Sequence, residues 1–345
     1  MSQSTIPSWG RAWKLTVKRP AGSGLVATDV VSQNAWDPEA LRMTFDIVEG
    51  VLPSKMWTAE ISIYNATDPT IQDYLFNAVW VTLEAGYQDG SAKSSIIWDG
   101  PVIQTLFDRE NVVDFKITFN CVATVELLNN SFINFGAGKF SSQEQIISKM
   151  VSEIGGTFDV QYGPKLKGKM AAKQYPRGKT LFGRLNRYLE DVAKDNFGMN
   201  WTDGQKAYIS ELTAGDNVTP AIIYGPPLPP GYVASGNQSI SRTVMGVPRQ
   251  FAYGVIFTTL LDPRLLVQAP PMLIHLDRTV ITQIAVQIPN VVTAMDPHLD
   301  FVVAQVHHYG DTRGNDWCSE VTGYNRQYAL GLLDGLFAGT SGGLQ

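Results

Sequence analysis

The feature that most constrains the fold is a regular alternation of apolar and polar residues near the N-terminus. Within the stretch AWKLTVKRP, the apolar residues Trp13, Leu15 and Val17 alternate with Lys14, Thr16 and Lys18. Because successive side chains of a strand point to opposite faces of a sheet, this period predicts a half-buried β-strand. The stretches LRMTFDIVEG and TAEISIYNA repeat the pattern.

The rest of the first third also indicates β structure. VWVTLEAGYQ, SIIWDGPVIQTLFDREN and VVDFKITFNCVATVELLNN are long and rich in β-branched and aromatic residues, and YQDGSAK contains an Asp-Gly hairpin turn. One short helix is predicted in DPTIQDYLFNA, with Asp68 as N-cap and Pro69 in the first helical position. Residues 1–130 are therefore predicted to form an antiparallel β-barrel domain.

The pattern changes to a helical period in residues 131–219. SSQEQIISKMVSEIG predicts a helix capped by Ser141 or Ser142. KTLFGRLNRYLEDVAKDNFG predicts a second helix that begins at a Thr180 cap, buries Leu181 and Leu185, and ends at Gly198. With the hairpin in MNWTDGQKAYISEL, this region is predicted to be a small α/β domain.

Strand patterns return after the Pro-rich connector YGPPLPPGY. QFAYGVIFTTLL, MLIHLD, HLDFVVAQVHHYG and DWCSEVTGYN predict a second antiparallel β-barrel domain over residues 220–328. Residues 329–345 contain the Gly/Ser-rich FAGTSGGLQ, which predicts a flexible tail. The fold class is therefore mainly β, with two β domains flanking an α+β insert.

Composition narrows the classes of function. Charged residues make up 17% of the chain, against about a quarter in an average protein, which suggests either a surface partly covered by partner subunits or an unusually β-rich chain. A net charge of −5 requires neither nucleic acid nor a membrane as partner. The N-terminus lacks an apolar signal region, so we expect action in the cytosol of its maker or export within an assembled particle. The two cysteines, Cys121 and Cys318, are expected to be buried free thiols.

One stretch, HHYGDTRGNDW, could be either a metal or catalytic site or the end of a hairpin. His307 and His308 are adjacent on a predicted strand, so they point to opposite faces and cannot share one metal ion. Asp311, Arg313 and Gly314 are typical turn residues, and Trp317 begins the returning strand. We interpret the stretch as a structural hairpin, with no catalytic, cofactor-binding or metal-binding residue assigned.

Two other functions remain open. A metal-dependent hydrolase could use Asp296, His298 and His308, with Asp300 nearby, because His and Asp are ligands for zinc or iron. A carbohydrate-binding module could use exposed tryptophans such as Trp98 and Trp317. Stoichiometric metal in the purified protein would favour the hydrolase, and binding to a glycan array would favour the module.

A basic segment lies between Gly163 and Leu189. It contains no carboxylate and eight cations: Lys165, Lys167, Lys169, Lys173, Arg177, Lys179, Arg184 and Arg187. Because the whole chain has a net charge of −5, the rest of the chain carries −13. We interpret it as a docking segment for an acidic protein surface, or as a solvated face. DNA binding is less favoured because no aromatic platform is interleaved with the cations.

Four stretches in order resemble the baseplate hub proteins of phage tails, the group that includes the late-control D proteins and the hub of T-even phages. They are AEISIYNATDPTIQDYLFNAVWVTLEAGYQ, IIWDGPVIQTLFDRENVVDFKITFNC, LFGRLNRYLEDVAKDNFGMNWTDGQKAYI, and MGVPRQFAYGVIFTTLLDPRLLVQAPPMLIHLD with VAQVHHYGDTRGNDWCSEVTGYN. The resemblance extends over about residues 12–326.

The resemblance implies two tail-tube-like β-barrel domains and a non-enzymatic role without a cofactor. Three copies would form a pseudo-six-fold ring that joins the six-fold tail tube, or a tube-initiator protein, to a three-fold central spike. Other baseplate (wedge) proteins would surround the ring, and DNA would pass through its lumen without specific binding. The protein would assemble in the host cytoplasm, without a membrane, and reside in the virion. The component of a flexible, non-contractile tail remains a close alternative.

Overall fold

The computed structural model describes most of the chain. The described residues are 10–21, 24–33, 40–50, 57–88, 93–111, 113–123, 132–154, 159–196, 199–202, 206–210, 220–225, 239–241, 243–251, 254–267, 272–277 and 299–325. These residues are mostly in antiparallel sheets, which confirms the mainly β prediction. The predicted Asp-Gly turns, Gly198, residues 226–232 of the Pro-rich connector and the C-terminal tail lie outside the described residues.

The first β region contains seven strands and one helix in its described part. They are β1 (Arg11–Ala21), β2 (Gly24–Gln33), β3 (Met43–Gly50), β4 (Thr58–Tyr64), α1 (Pro69–Phe76), β5 (Trp80–Tyr87), β6 (Ser95–Arg109) and β7 (Phe115–Val122). Trp13, Leu15 and Val17 are all buried, as the alternation predicts. Helix α1 begins at Pro69, and the Gln72 N–H donates to the Asp68 carbonyl at 2.9 Å, which confirms the predicted start of the helix.

The middle region has its own hydrophobic cluster. Its elements are β8 (Phe132–Ala137), β9 (Ser141–Ser142), α2 (Gln143–Ile154), β10 (Asp159–Tyr162), α3 (Pro164–Ala172), β11 (Gln174–Tyr175), β12 (Lys179–Arg184), α4 (Leu185–Asp195), β13 (Met199–Thr202) and β14 (Lys206–Ser210). Strand β8 pairs with β12, β9 with β11, and β14 lies between β10 and β13. The mixture of helices and small sheets agrees with the predicted α/β character.

The predicted start of the last helix of this region is wrong. Helix α4 begins at Leu185, whereas Thr180 lies in strand β12, directly opposite Gly136 of β8. Leu181 is buried as expected, but it reaches the cluster from a strand. The spacing of Leu181 and Leu185 fits a helical stripe and also a strand followed by a helix, so only the pairing with β8 distinguishes the two.

Helix α2 begins with a reciprocal pair of hydrogen bonds. The Gln145 N–H donates to Ser142 Oγ at 3.2 Å, and the Ser142 N–H donates to Gln145 Oε1 at 2.9 Å. This is a capping box, in which two backbone donors at the start of the helix are satisfied by side chains. Ser142 is therefore the N-cap, one of the two serines expected from the sequence. The predicted apolar stripe packs into the cluster through Ile146, Ile147 and Met150.

The last β region contains seven strands in its described part: β15 (Ile222–Tyr224), β16 (Ser239–Ser241), β17 (Val244–Phe251), β18 (Gly254–Leu260), β19 (Leu273–Leu276), β20 (Asp300–Asp311) and β21 (Trp317–Asn325). Strands β17, β18, β21 and β20 pair antiparallel, as expected. Strand β15, however, is parallel to both β16 and β19, which the prediction of an antiparallel domain did not include.

Strand β20 joins the two β regions. One edge pairs with β21 from Phe301 to Gly310. On the other edge, residues 300–302 pair with β19 and residues 305–311 pair with β3. The described strands of both regions therefore belong to one 14-stranded sheet, and one hydrophobic cluster extends from Trp13 to Val321. Cys121 and Cys318 are buried and free, as predicted.

We predict that Ser142→Ala destabilises the middle region by about 1 kcal/mol, because it removes the acceptor for the Gln145 N–H. Ser152→Ala is the matched control: Ser152 lies in the same helix, and its exposed hydroxyl donates to the Lys149 carbonyl. The control should change the free energy of unfolding by less than about 0.5 kcal/mol in urea titrations. Equal effects of the two variants would contradict the capping role.

Candidate functional site

The stretch His307–Trp317 lies at the end of the hairpin formed by β20 and β21. Its turn, residues 312–316, packs against the first β region. Thr312 makes two bonds to Met43: its N–H donates to the Met43 carbonyl at 2.9 Å, and its Oγ1 accepts from the Met43 N–H at 2.9 Å. The turn is thus attached to the start of β3, beyond the last paired residues of β20.

Asp311 organises this turn. Its carboxylate accepts two hydrogen bonds from the Arg42 guanidinium, at 3.2 Å from Nε and 2.7 Å from an Nη atom, and a third from the Arg313 N–H at 2.9 Å. Burial raises the pKa of Asp311, but the hydrogen bonds from Arg42 and Arg313 outweigh burial and hold the pKa below its ordinary value. The carboxylate therefore stays charged and holds the turn on the residues that precede β3.

Arg11 holds the same turn from strand β1. Its guanidinium donates to the carbonyl oxygens of Asp311, Gly314 and Asn315 at 2.8, 2.7 and 3.2 Å. It also lies 5.3 Å from the centre of the Trp317 ring, within the range of a cation–π contact. One side chain thus satisfies three turn carbonyls, an arrangement that the planar, multi-donor guanidinium suits better than lysine.

Trp317 anchors the hairpin in the core. Its side chain is 1% exposed and packs edge-on against Trp13 and Phe45, with ring centroids 5.9 and 5.2 Å apart. Its indole N–H donates to the Gly86 carbonyl of β5 at 3.2 Å. Trp98 is also buried, at 3%. The interpretation of Trp98 and Trp317 as exposed sugar-binding rings is therefore wrong, because both occupy core-facing strand positions.

The two adjacent histidines face opposite sides of β20. His307 is partly exposed, and its Nε2 lies 3.0 Å from Asp46 Oδ1 on the neighbouring strand. His308 is 1% exposed, and its Nδ1 lies 2.7 Å from Ser319 Oγ on β21. The ring also makes a hydrogen bond to the backbone of Leu265. The His308 ring is thus engaged by groups within the protein.

The structure describes only part of the proposed metal site. His308 is buried, Asp300 pairs with His275 at 2.9 Å, and Asp296 and His298 lie outside the described residues. Within the described ranges, no group of three or more His, Cys, Asp or Glu side chains is placed to hold a metal ion. Nor is any helix in this part of the chain long and apolar enough to cross a membrane.

Sequence reasoning missed a buried polar network beneath the hairpin. Ser319 Oγ accepts from the Asp262 N–H at 3.0 Å, and the Asp262 carboxylate accepts from Arg264 Nε at 2.7 Å and from the Tyr224 hydroxyl at 3.1 Å. Burial, then the nearby Asp262 carboxylate, raises the pKa of Tyr224. The only sequence signal was the turn in LDPRLL, which predicts a bend but not buried charge.

This network contains a Ser–His pair at hydrogen-bonding distance, but the pair is inaccessible. Ser319 is fully buried and His308 is 1% exposed. A nucleophile and its base must reach a substrate, so this pair acts as internal packing. Burial lowers the pKa of His308 to about 4, which keeps the ring neutral near pH 7.

The structure divides the basic segment into two groups. Lys167 pairs with Glu144 at 3.7 Å, Lys173 pairs with Asp195 at 3.1 Å, and Lys179 lies over the rings of Tyr175 and Tyr188. The second group is exposed and has no ion pair within the described part of the chain: Lys169, Arg177, Arg184 and Arg187. Lys165 lies in the first turn of α3. The docking role of the segment remains a prediction.

We predict that Asp311→Ala lowers the free energy of unfolding by about 2 kcal/mol, because it removes the acceptor for Arg42 and for the turn. This value is discounted for solvent, since the Arg42 side chain is 43% exposed. Asp316→Ala changes an exposed carboxylate in the same turn and should cost less than about 0.5 kcal/mol. Urea unfolding of both variants tests the difference, and a neutral Asp311→Ala would contradict the anchoring role.

We predict that His308 makes the fold less stable in acid. Its pKa is about 4 in the folded state and near 6.5 when unfolded, so the unfolded chain binds the proton more readily between these values. Stability should fall as the pH drops from about 6.5, by about 2 kcal/mol from this group at pH 5. His308→Gln should remove that part of the fall in urea titrations, whereas His307→Gln should keep it. An unchanged pH dependence in His308→Gln would contradict this account.

Comparisons with known proteins find solved structures with a similar fold. No family model matches the sequence, and no curated protein matches it. The structure is similar to the tail protein from Neisseria meningitidis MC58, with a TM-score of 0.51 and 9% identity over 93% of this chain and 98% of that one. It is also similar to a chain of the half-lidded Francisella PdpA–VgrG complex, with a TM-score of 0.52 and 7% identity over 93% of this chain.

This chain spans only 59% of the length of the matched chain in the half-lidded Francisella complex. A lidless form of the same complex gives a TM-score of 0.51 at 7% identity, with 93% of this chain and 66% of that chain covered. At such low identity the likeness concerns the fold. The chain therefore has a fold similar to those of a bacterial tail protein and a chain of the PdpA–VgrG complex.

Proposed function

We propose that this protein is a structural hub of a phage tail baseplate and that three copies form a ring around a lumen. The observation that carries the proposal is the likeness to a tail protein along almost the whole of both chains, 93% of this one and 98% of the other. The anchored hairpin fits a structural role, because its polar residues bind one another and the backbone rather than an open cleft. No catalytic residue or cofactor is part of the proposal.

The continuity of one face of the large sheet supports the proposal of a ring. Strands β17, β18, β21, β20, β3, β4, β7 and β6 follow one another without a break and cross the boundary between the two β regions. Along β20, Val306 and His308 point to the core, whereas Gln305, His307 and Tyr309 point away from it. This outward face is continuous over both regions, so it offers a single surface for lining a channel.

The outward face is polar and weakly acidic. Asp46 and Glu60 lie directly opposite each other on β3 and β4, and Asn120 follows next to Glu60 on β7. Glu320 lies opposite His307 on β21. A surface of this charge has no row of cations to bind phosphates, and strong DNA binding depends on such cations. We propose that this face lines the lumen and lets DNA pass without specific binding.

The two ends of this face are open edges in the described residues. Strand β17 pairs only with β18, and β6 beyond Val102 pairs only with β7. Both edges expose large apolar side chains: Met245 and Val247 on β17, and Ile103, Leu106 and Phe107 on β6. Open edges of this kind pair readily with another chain. We propose that the β6 edge of one copy pairs with the β17 edge of the next.

The direction of the strands fits this pairing. Each neighbouring pair along the face is antiparallel. With an even number of strands, the β6 edge of one copy meets the β17 edge of the next in antiparallel orientation, so the alternation continues around the ring. A contact between two different edges is head-to-tail. Repeated head-to-tail contacts form a closed ring when the rotation from one copy to the next is a whole fraction of a full turn.

In the assembled particle, we propose that the ring contacts the tail tube or a tube-initiator protein on one side and the central spike on the other. Other baseplate proteins would surround it. The Francisella chain is named as part of a PdpA–VgrG complex, which supports an assembly with a protein partner. On this proposal the protein assembles in the host cytoplasm and resides in the virion tail.

Molar mass by light scattering across a concentration series tests self-assembly. The monomer mass is 37.9 kDa, and the mass should rise toward three times this value as concentration increases. A mass that stops at a dimer would contradict the trimer, and a strict monomer at every concentration would contradict self-assembly of the isolated protein.

We predict that Ile103→Lys weakens this association by about tenfold or more, because lysine on an edge strand opposes pairing with another chain. Leu25→Lys is the matched control: Leu25 is 54% exposed on edge strand β2, and Ile103 is 55% exposed on β6. Sedimentation equilibrium should show normal association for the control. Loss in both variants, or in neither, would contradict an interface at the β6 edge.

A further inference from the structure

Strands β8 and β12 form a small ribbon with two different faces. Its inner face carries Ile133, Phe135 and Leu181, which are buried in the hydrophobic cluster of the middle region. Its outer face carries Phe132, which is 66% exposed, and Phe182, which is 79% exposed. Exposed side chains of this size on the same face of a ribbon are unusual for a surface that remains in water.

The cross-strand register brings the aromatic rings and a cation together. Phe132 lies directly opposite Arg184, and Phe182 lies directly opposite Asn134. The two phenylalanines are therefore diagonal neighbours on one face, a separation that large side chains can span. The outer face thus combines two exposed rings, one guanidinium and one amide on a regular backbone.

The two segments of chain that contain the ribbon strands carry cations and no carboxylate. No Asp or Glu occurs from Phe132 to Ser142 or from Gly163 to Leu189. Arg177 precedes β12, and Arg184 and Arg187 lie at its end and in the first turn of α4; all three are exposed. Lys167 and Lys173 are neutralised by carboxylates of neighbouring helices, whereas these arginines are not paired within the described part of the chain. Positive charge is thus concentrated beside the exposed rings.

We propose that the outer face of this ribbon docks an acidic protein segment that carries apolar side chains. The apolar side chains would cover Phe132 and Phe182, and the carboxylates would pair with Arg184 and Arg187. Charge complementarity supports a protein partner of this kind, because interfaces match potentials of opposite sign around buried aromatic side chains. Of the eight cations predicted to dock a partner, the proposed surface includes only exposed arginines. It also includes two phenylalanines that were not predicted from the sequence.

Single-stranded nucleic acid is the competing ligand, because aromatic rings beside arginine also suit stacked bases. The sequence argument that no aromatic residue is interleaved with the cations is wrong, since Phe182 lies on the exposed face two residues before Arg184. The rest of the chain carries −13, which repels a strand with one phosphate per nucleotide more strongly than a segment with a few carboxylates, so a protein is favoured. The proposal does not depend on the ring.

A random dodecapeptide library tests the proposal without assuming a partner. The library is selected against the immobilised full-length protein, with an excess of the soluble double variant Phe182→Ser/Arg184→Glu to remove peptides that bind elsewhere. Enriched peptides should be acidic and carry aromatic or aliphatic residues. Enrichment of neutral or basic peptides, or of none, would overturn the proposal.

An enriched peptide then provides a probe for fluorescence anisotropy. Phe182→Ser and Arg184→Glu should each raise its Kd by about tenfold or more, as expected for central interface residues. The controls Leu25→Ser and Lys93→Glu, an exposed leucine on β2 and an exposed lysine before β6, should change it by less than about twofold. Circular dichroism verifies that each variant is folded. Equal losses in the controls would place the binding elsewhere.

Oligothymidylate is the probe for the competing ligand. It should neither bind the ribbon nor displace the peptide at physiological salt. Displacement of the peptide by oligothymidylate, with loss of its own binding in Phe182→Ser, would assign the face to nucleic acid and overturn the proposal of a protein partner.

Discussion

Backbone hydrogen bonds between β20 and β3 hold the first and last β regions in one sheet. These bonds form at the end of a long hairpin, so their register depends on where the turn is fixed. Arg11 and Asp311 fix it from two directions, through the turn carbonyls and through Arg42. Trp317 then fills the space between Trp13 and Phe45. The continuous outward face, and hence the proposed lumen, depends on this junction.

One side of β20 at this junction faces the core, and the other side is exposed. On the buried side, His308, Ser319 and Asp262 satisfy one another's hydrogen bonds, which removes the cost of placing polar atoms in the core. On the outward side, the side chains are mostly neutral or acidic. The low overall charge, which suggested covered surfaces, is thus consistent with exposed apolar edges on β6 and β17.

Local patterns in the sequence predicted local structure well. The alternation around Leu15, the cap at Ser142 and the turn residues after Asp311 each depend on neighbours within a few residues. The contacts that define the site depend on residues distant in the chain. The pairing of β3 with β20 and the burial of Asp262 have no local sequence signature. Thr180 fits the pattern of a helix cap, and only its pairing with β8 shows that it lies in a strand. Tryptophan in a strand is likewise compatible with either face, so the burial of Trp317 could not be predicted.

The ring is the central claim, and electron microscopy of the purified full-length protein at a concentration where it associates tests it most directly. The account predicts a closed particle with three-fold symmetry. In it, the face that carries Asp46 and Glu60 should line an axial channel, and the β6 edge of each copy should pair with the β17 edge of the next. A particle in which that face points outward, or copies joined through other edges, would contradict the account.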